Sequence, residues 1–214
     1  EGNSPAADSS ATSGRTSTEG SPVTPPPGFP KDGYFAKLQD NSTSHEDFLR
    51  AQKLFEKSAS RETLAKWFAL ARIMDGSGEF GVEYNKLIDE LNDHGEQVVD
   101  DLKSAVGQLS RDEDGHLRAM FSNLVFALKV SPDEKVSYLG TELVRPLKLD
   151  DTGQLSDNSA QITISLALMK NITQDGQKIL EYAKQSLAAN PDAKIKEEIR
   201  QRVLTYFPEL EGKL

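Results

Sequence analysis

Three short acidic strings carry the most suggestive chemistry in the chain: "DGSGEF" from Asp75, "DEDGHL" from Asp112 and "DDTGQL" from Asp150. All fit Asp-x-[Ser/Asp/Thr]-Gly-x-[Phe/Leu]. Hard oxygen donors ahead of a glycine bend are what a calcium loop uses, because the ion takes several oxygens and the glycine lets the chain wrap around it. Such a loop also needs oxygen ligands at its first and twelfth positions. With each glycine in sixth place, those ends are Ile73 and Tyr84, Ser110 and Phe121, and Lys148 and Ser159. None closes the site with a bidentate carboxylate. A defect shared by all three copies argues for a recurring turn, in which Asp accepts Asx-type bonds from the backbone and the glycine takes a left-handed conformation. The metal reading that remains is weak calcium binding through Asp75, Asp112, Asp114 and Asp150, with no other cofactor implied.

Signatures of catalysis are sparse. The histidines, His45, His94 and His116, fall near helix starts or turns. No HExxH pair, nucleophile elbow, phosphate-binding glycine loop or Ser-x-x-Lys motif occurs. An enzyme would have to use an unrecognised site. "IDELNDHGEQVVDDL" is the most uneven distribution of charge. Asp89, Glu90, Asp93, Glu96, Asp100 and Asp101 follow one another between Lys86 and Lys103 with no cation among them. Such a run is either a solvated face or a patch that steers a basic partner. Tyr138 and Tyr182 are further candidates for partner contact, because a phenol tolerates half-wet positions. The sequons at Asn41 and Asn171 matter only in a eukaryotic secretory setting.

Composition narrows the field further. The 214 residues carry a formal net charge of −9, which argues against a nucleic-acid partner, since a phosphate backbone calls for clustered Lys and Arg. No stretch approaches the roughly 18 apolar residues of a membrane helix. There is no cysteine, so disulfides, thiol catalysis and thiolate metal sites are absent. Residues 1–30 are dominated by Ser, Thr, Pro, Gly and Ala and hold six of the ten prolines. They read as a disordered tether without core residues, leaving 31–214 as the folded domain.

The elements that would position these groups read as helices. Phe48, Ala51 and Phe55 share one face after the expected cap Ser44, and Leu64, Trp67, Phe68 and Ala71 follow Ser60 at buried-stripe spacing. Counting from each repeated glycine, Leu87, Leu124 and Ile162 coincide, as do Leu91, Leu128 and Leu166. Capping signals at Asp93-His94-Gly95-Glu96 and Ser131-Pro132-Asp133-Glu134 open second helices. "QITISLALM", 161–169, alternates like a strand, but its place in the repeat makes it a buried first helix. The expectation is an all-α fold of stacked antiparallel hairpins, solenoid-like with about nine helices, at 44–74, 79–109, 116–148 and 158–189 plus a closing helix at 192–207.

That layout resembles HEAT and armadillo repeat proteins in period, pairing and stacking. The Ser/Thr/Pro/Gly-rich leader resembles the tether of a mature bacterial surface lipoprotein, whose lipid-bearing cysteine would precede Glu1. The resemblances imply a non-enzymatic protein-binding scaffold or adaptor, secreted or held at a cell envelope, that meets a membrane only through such an anchor; the alternative is cytoplasmic. A calcium-responsive helical module is the competing reading.

Overall fold

The computed structural model describes residues 23–71, 73, 81–109, 115–156, 160–173 and 175–214. Among them the chain is helical: α1 (Ser42–Leu54), α2 (Arg61–Ala71), α3 (Gly81–Asn92), α4 (Gly95–Gln108), α5 (Gly115–Ala127), α6 (Pro132–Leu143), α7 (Ala160–Ile172), α8 (Gly176–Ala189) and α9 (Ala193–Tyr206), with 3₁₀ turns at Gly33–Leu38 and Pro208–Leu210. The described residues contain no strand beyond an isolated bridge between Leu149 and Leu155.

Side-chain acceptors set several helix starts. Ser131 takes the amide of Glu134 at 3.1 Å with Pro132 at the first helical position of α6. Asp192 takes the amides of Lys194 and Ile195 at 2.8 and 3.0 Å ahead of α9. Two expected caps are displaced. Asn41, not Ser44, caps α1, accepting the Ser44 amide at 2.8 Å. Ser44 lies inside the helix, buried, and donates its hydroxyl to the Ala69 carbonyl of α2 at 3.0 Å. At α4 the capping position belongs to His94, which makes no side-chain cap bond, so Asp93 is free of that role.

The alternating segment at 161–169 is helical, within α7. Its pattern is blurred because α7 runs against α5, α6 and α9 and so buries more than one stripe, including Ile162, Ser165, Leu166 and Met169. Alternate helices line up in two rows, α4 with α6 and α8, and α5 with α7 and α9. The expected hairpins have the right members, yet α7 packs far more extensively on α6 than on its own partner α8. Gly140 of α6 permits one close approach in the α4–α6–α8 row. A Cβ there would stand 2.3 Å from Cε1 and Cζ of Tyr182 on α8.

The repeated turn has different outcomes at its three positions. Gly153 is left-handed, with φ +72°, as the turn reading requires. Gly115 is instead helical, the first described residue of α5, and is not left-handed. Gly78 lies outside the described residues, as do Asp75, Asp112 and Asp114.

The reading of residues 1–30 as a tether without core residues is corrected at Phe29. This ring is only 3% exposed and packs edge-on against His45, Phe48 and Phe35, with centroids at 4.6, 5.2 and 5.9 Å. The Gln39 amide donates to the Pro30 carbonyl at 2.8 Å, and Gly28, at φ +81°, bends the chain inward. Proline-rich composition hid a single aromatic anchor. Phe29→Ala should therefore lower unfolding free energy by about 3 kcal/mol, read from the denaturant midpoint. An unchanged midpoint would show that residues 23–30 contribute nothing to the core.

Candidate functional site

The acidic run is divided between two helices. Asp89, Glu90 and Asp93 lie at the end of α3, where with Val82, Asn85 and Lys86 they line an open, shallow groove. Helical spacing puts Val82, Lys86, Asp89 and Asp93 on the face opposite the buried Leu87, Ile88 and Leu91. Val82 is 82% exposed, more than any other large apolar side chain among the described residues. Asp89 is paired with Lys129 at 3.1 Å, both largely exposed, and Glu90 accepts a long 3.5 Å bond from Thr63. Asp93 has no cation within pairing distance among the described residues.

The rest of the run has other surroundings. Glu96 is exposed in the first turn of α4, where the helix dipole favours its charge. Asp100 lies 3.6 Å from Lys103. Asp101 accepts from the Ser58 hydroxyl and, at 3.2 Å, from Gln97, so it ties α4 to the turn after α1. The six carboxylates therefore do not form one edge; three share the α3 groove.

The two tyrosines differ in exposure. Tyr138 is fully buried, its hydroxyl has no acceptor, and burial pushes its ionisation well above the usual phenol value. Tyr182 is half-buried with its ring over Gly140. Tyr138 is enclosed because α6 faces α4, α5, α7 and α8, whereas Tyr182 on α8 is covered on one side only.

The Asp150 turn uses its carboxylate internally. Oδ1 accepts from the Thr152 hydroxyl at 2.6 Å and from the Thr152 and Gln154 amides at 2.8 and 2.9 Å, which holds this acid below its ordinary value. Lys194 donates to the Gly153 carbonyl, bringing an ammonium beside the turn. Among the described residues no three His, Asp or Glu side chains gather as a metal cage.

A buried charge cluster escaped the sequence reading. Arg118 of α5 and Glu142 of α6 meet at 3.3 Å with both side chains almost wholly buried. Arg145 approaches the other carboxylate oxygen at 3.5 Å and Gln161 of α7 at 3.4 Å. Arg118 also donates to the Val106 carbonyl near the end of α4 at 3.0 Å, and Gln161 donates to the Gly115 carbonyl at 2.6 Å. Burial raises the Glu142 carboxyl and lowers the Arg118 guanidinium, and their mutual attraction opposes both shifts. The available signal was positional: Arg118 precedes Phe121 by three and Val125 by seven, and Glu142 follows Tyr138 by four, so both charges sit on apolar stripes. Arg118, Glu142 and Arg145 line a hollow of about 370 Å³ with Lys103 and Thr141. Lys103 is already engaged by Glu134 at 2.6 Å.

No protein-family model, curated protein or solved structure matches the chain.

Two expectations follow. Arg118→Met should cost about 3 kcal/mol, because it leaves a buried carboxylate with only the longer Arg145 contact, while adding Glu142→Met should restore most of the loss. In the single variant the carboxyl rises further, so the folded chain takes up a proton before the unfolded chain does. The deficit should then shrink as pH falls through that raised value, and level off once pH lies above it. Denaturant titrations at about pH 5 and about pH 7 read this slope, and a pH-independent deficit would contradict it. Separately, Gly140→Ala should cost about 2 kcal/mol through overpacking. Placing it in a Tyr182→Ala background should remove most of that increment; additivity would show that the ring and the glycine do not meet.

Proposed function

We propose that this chain is a non-enzymatic helical binding domain whose α3 groove receives a basic, amphipathic segment of another protein. The carrying observation is the outward face of α3. There an almost fully exposed valine stands beside Asp89, Glu90 and Asp93, in a chain whose net charge is already −9. An exposed apolar side chain rimmed by one sign of charge suits a ligand with an apolar contact and flanking Lys or Arg, whose approach the surrounding field accelerates.

The two-row helix packing is compatible with a helical-repeat architecture of the HEAT or armadillo kind, which commonly serves as an extended binding surface. On this reading the leader is the tether that holds the domain at a cell surface, and the described residues include no helix long and apolar enough to cross a membrane.

The test uses a synthetic helical peptide with a leucine face flanked by lysines. Asp89→Asn, Glu90→Gln and Asp93→Asn together should slow its association about tenfold at low salt and flatten the salt dependence. Val82→Ser should instead speed dissociation. All four positions are solvent-facing, so helical content and melting should stay unchanged. Equal association rates and equal salt slopes for the wild type and the triple variant would reduce the groove to a solvated surface.

A further inference from the structure

The α3 groove is not uniform in sign. Val82, Lys86, Asp89 and Asp93 follow one another on the outward face of α3, so the groove runs apolar, cationic, then acidic over about three helical turns. The Lys86 side chain is 65% exposed, and the carboxylate paired with it is that of Glu83, at 4.0 Å. That separation is the outer limit of an ion pair, and such a pair in water is weak. Lys86 can therefore exchange Glu83 for a carboxylate brought from outside at little cost. The core does not call for a cation at this position, since the buried side of α3 is Leu87, Ile88 and Leu91. A lysine here also weakens the field that draws basic partners in. Its effect on binding is one of discrimination: a uniformly basic segment meets Lys86 with like charge, and sites commonly reject near matches in this way.

We propose that Lys86 is a specificity-determining residue of this groove, selecting a segment in which an acidic side chain stands between the apolar contact and the basic ones. The inference rests on the α3 groove being the binding surface. The matching segment is helical. It carries an apolar residue opposite Val82, an acid one turn on and opposite Lys86, and Lys or Arg at the far end, toward Glu90 and Asp93. This order also fixes the register. A slide of one turn sets the partner's acid against Asp89 in one direction and against the apolar Val82 in the other.

Two labelled helical peptides of one composition serve as probes, each with the leucine face and flanking lysines already described. In one, a single glutamate occupies the position that meets Lys86; in the other, that glutamate has changed places with a glutamine on the solvent side. Their net charges are equal, so the long-range field acts on both alike. The first isomer should bind the full-length protein about threefold tighter, through slower dissociation. Lys86→Gln should make the isomers equal while speeding the association of both, because the groove becomes more negative. Lys86→Glu should reverse the preference. The side chain is exposed, so melting should be unchanged in either variant. Equal affinities of the isomers for the wild type, or a preference that persists in Lys86→Gln, would overturn the role of Lys86 and leave the groove as a binding surface. If neither isomer associates saturably, the groove reading itself fails, and this inference with it.

Discussion

One carboxylate held by two guanidiniums in a dry interior constrains most of this fold. Glu142 has almost no access to water, so its charge must be met by protein groups, and Arg118 and Arg145 supply them from either side. Arg118 can reach only if α5 lies at one height beside α6, and its second nitrogen then meets a carbonyl near the end of α4. Gln161 closes the arrangement by joining Arg145 to the first carbonyl of α5. Apolar contacts among these helices would tolerate a slide of a fraction of a turn. A charge pair with directional partners would not, because every alternative register leaves an ion unpaired at a cost of several kcal/mol. The cluster therefore selects one register for four helices, whatever its net contribution to stability.

The lysines at the ends of the α4–α6–α8 row act in the same sense from outside. The first turn of α6 carries Asp133 and Glu134, where the helix dipole favours acids. Lys178 of α8 reaches Asp133 at 2.6 Å, and Lys103 of α4 reaches Glu134 at 2.6 Å. Each bond is partly exposed and individually weak. Together they put one acidic turn between cations from both neighbours, at the opposite end of α6 from Glu142.

Much of this was legible because the helices are long and periodic. Stripes such as Leu64, Trp67, Phe68 and Leu87, Ile88, Leu91 show which face is buried, and the third repeated turn behaves as its Asp and Gly predict. The unreadable parts are those in which a distant residue decides. Whether Tyr182 is wet depends on the missing side chain of Gly140, on another helix. Phe29 belongs to the core because Phe35, Phe48 and His45 leave room for it, a fact that local composition does not contain. Ser44 looks like a cap and is instead a buried donor to Ala69, because Asn41 captures the helix start three residues earlier.

The acidic run shows the same dependence on tertiary neighbours, with a functional edge. Along the sequence its carboxylates are equivalent; in space, neighbouring elements divide them. Asp101 faces Ser58 and is consumed in holding the turn after α1, while Asp100 has Lys103 within one helical turn. Among the described residues, the cations near the acids of α3 are Lys86 on the same face and Lys129 from the turn after α5, both exposed and screened by water. Self-repulsion there is unrelieved by burial or by a network, and nothing in the fold requires it, since the core side of α3 is filled by Leu87, Ile88 and Leu91. On the proposed reading, an arrangement that costs folding a little and contributes nothing to packing serves what approaches from outside. That separates the α3 groove from the Arg118–Glu142 cluster, where the opposite charges are paired between the elements they join.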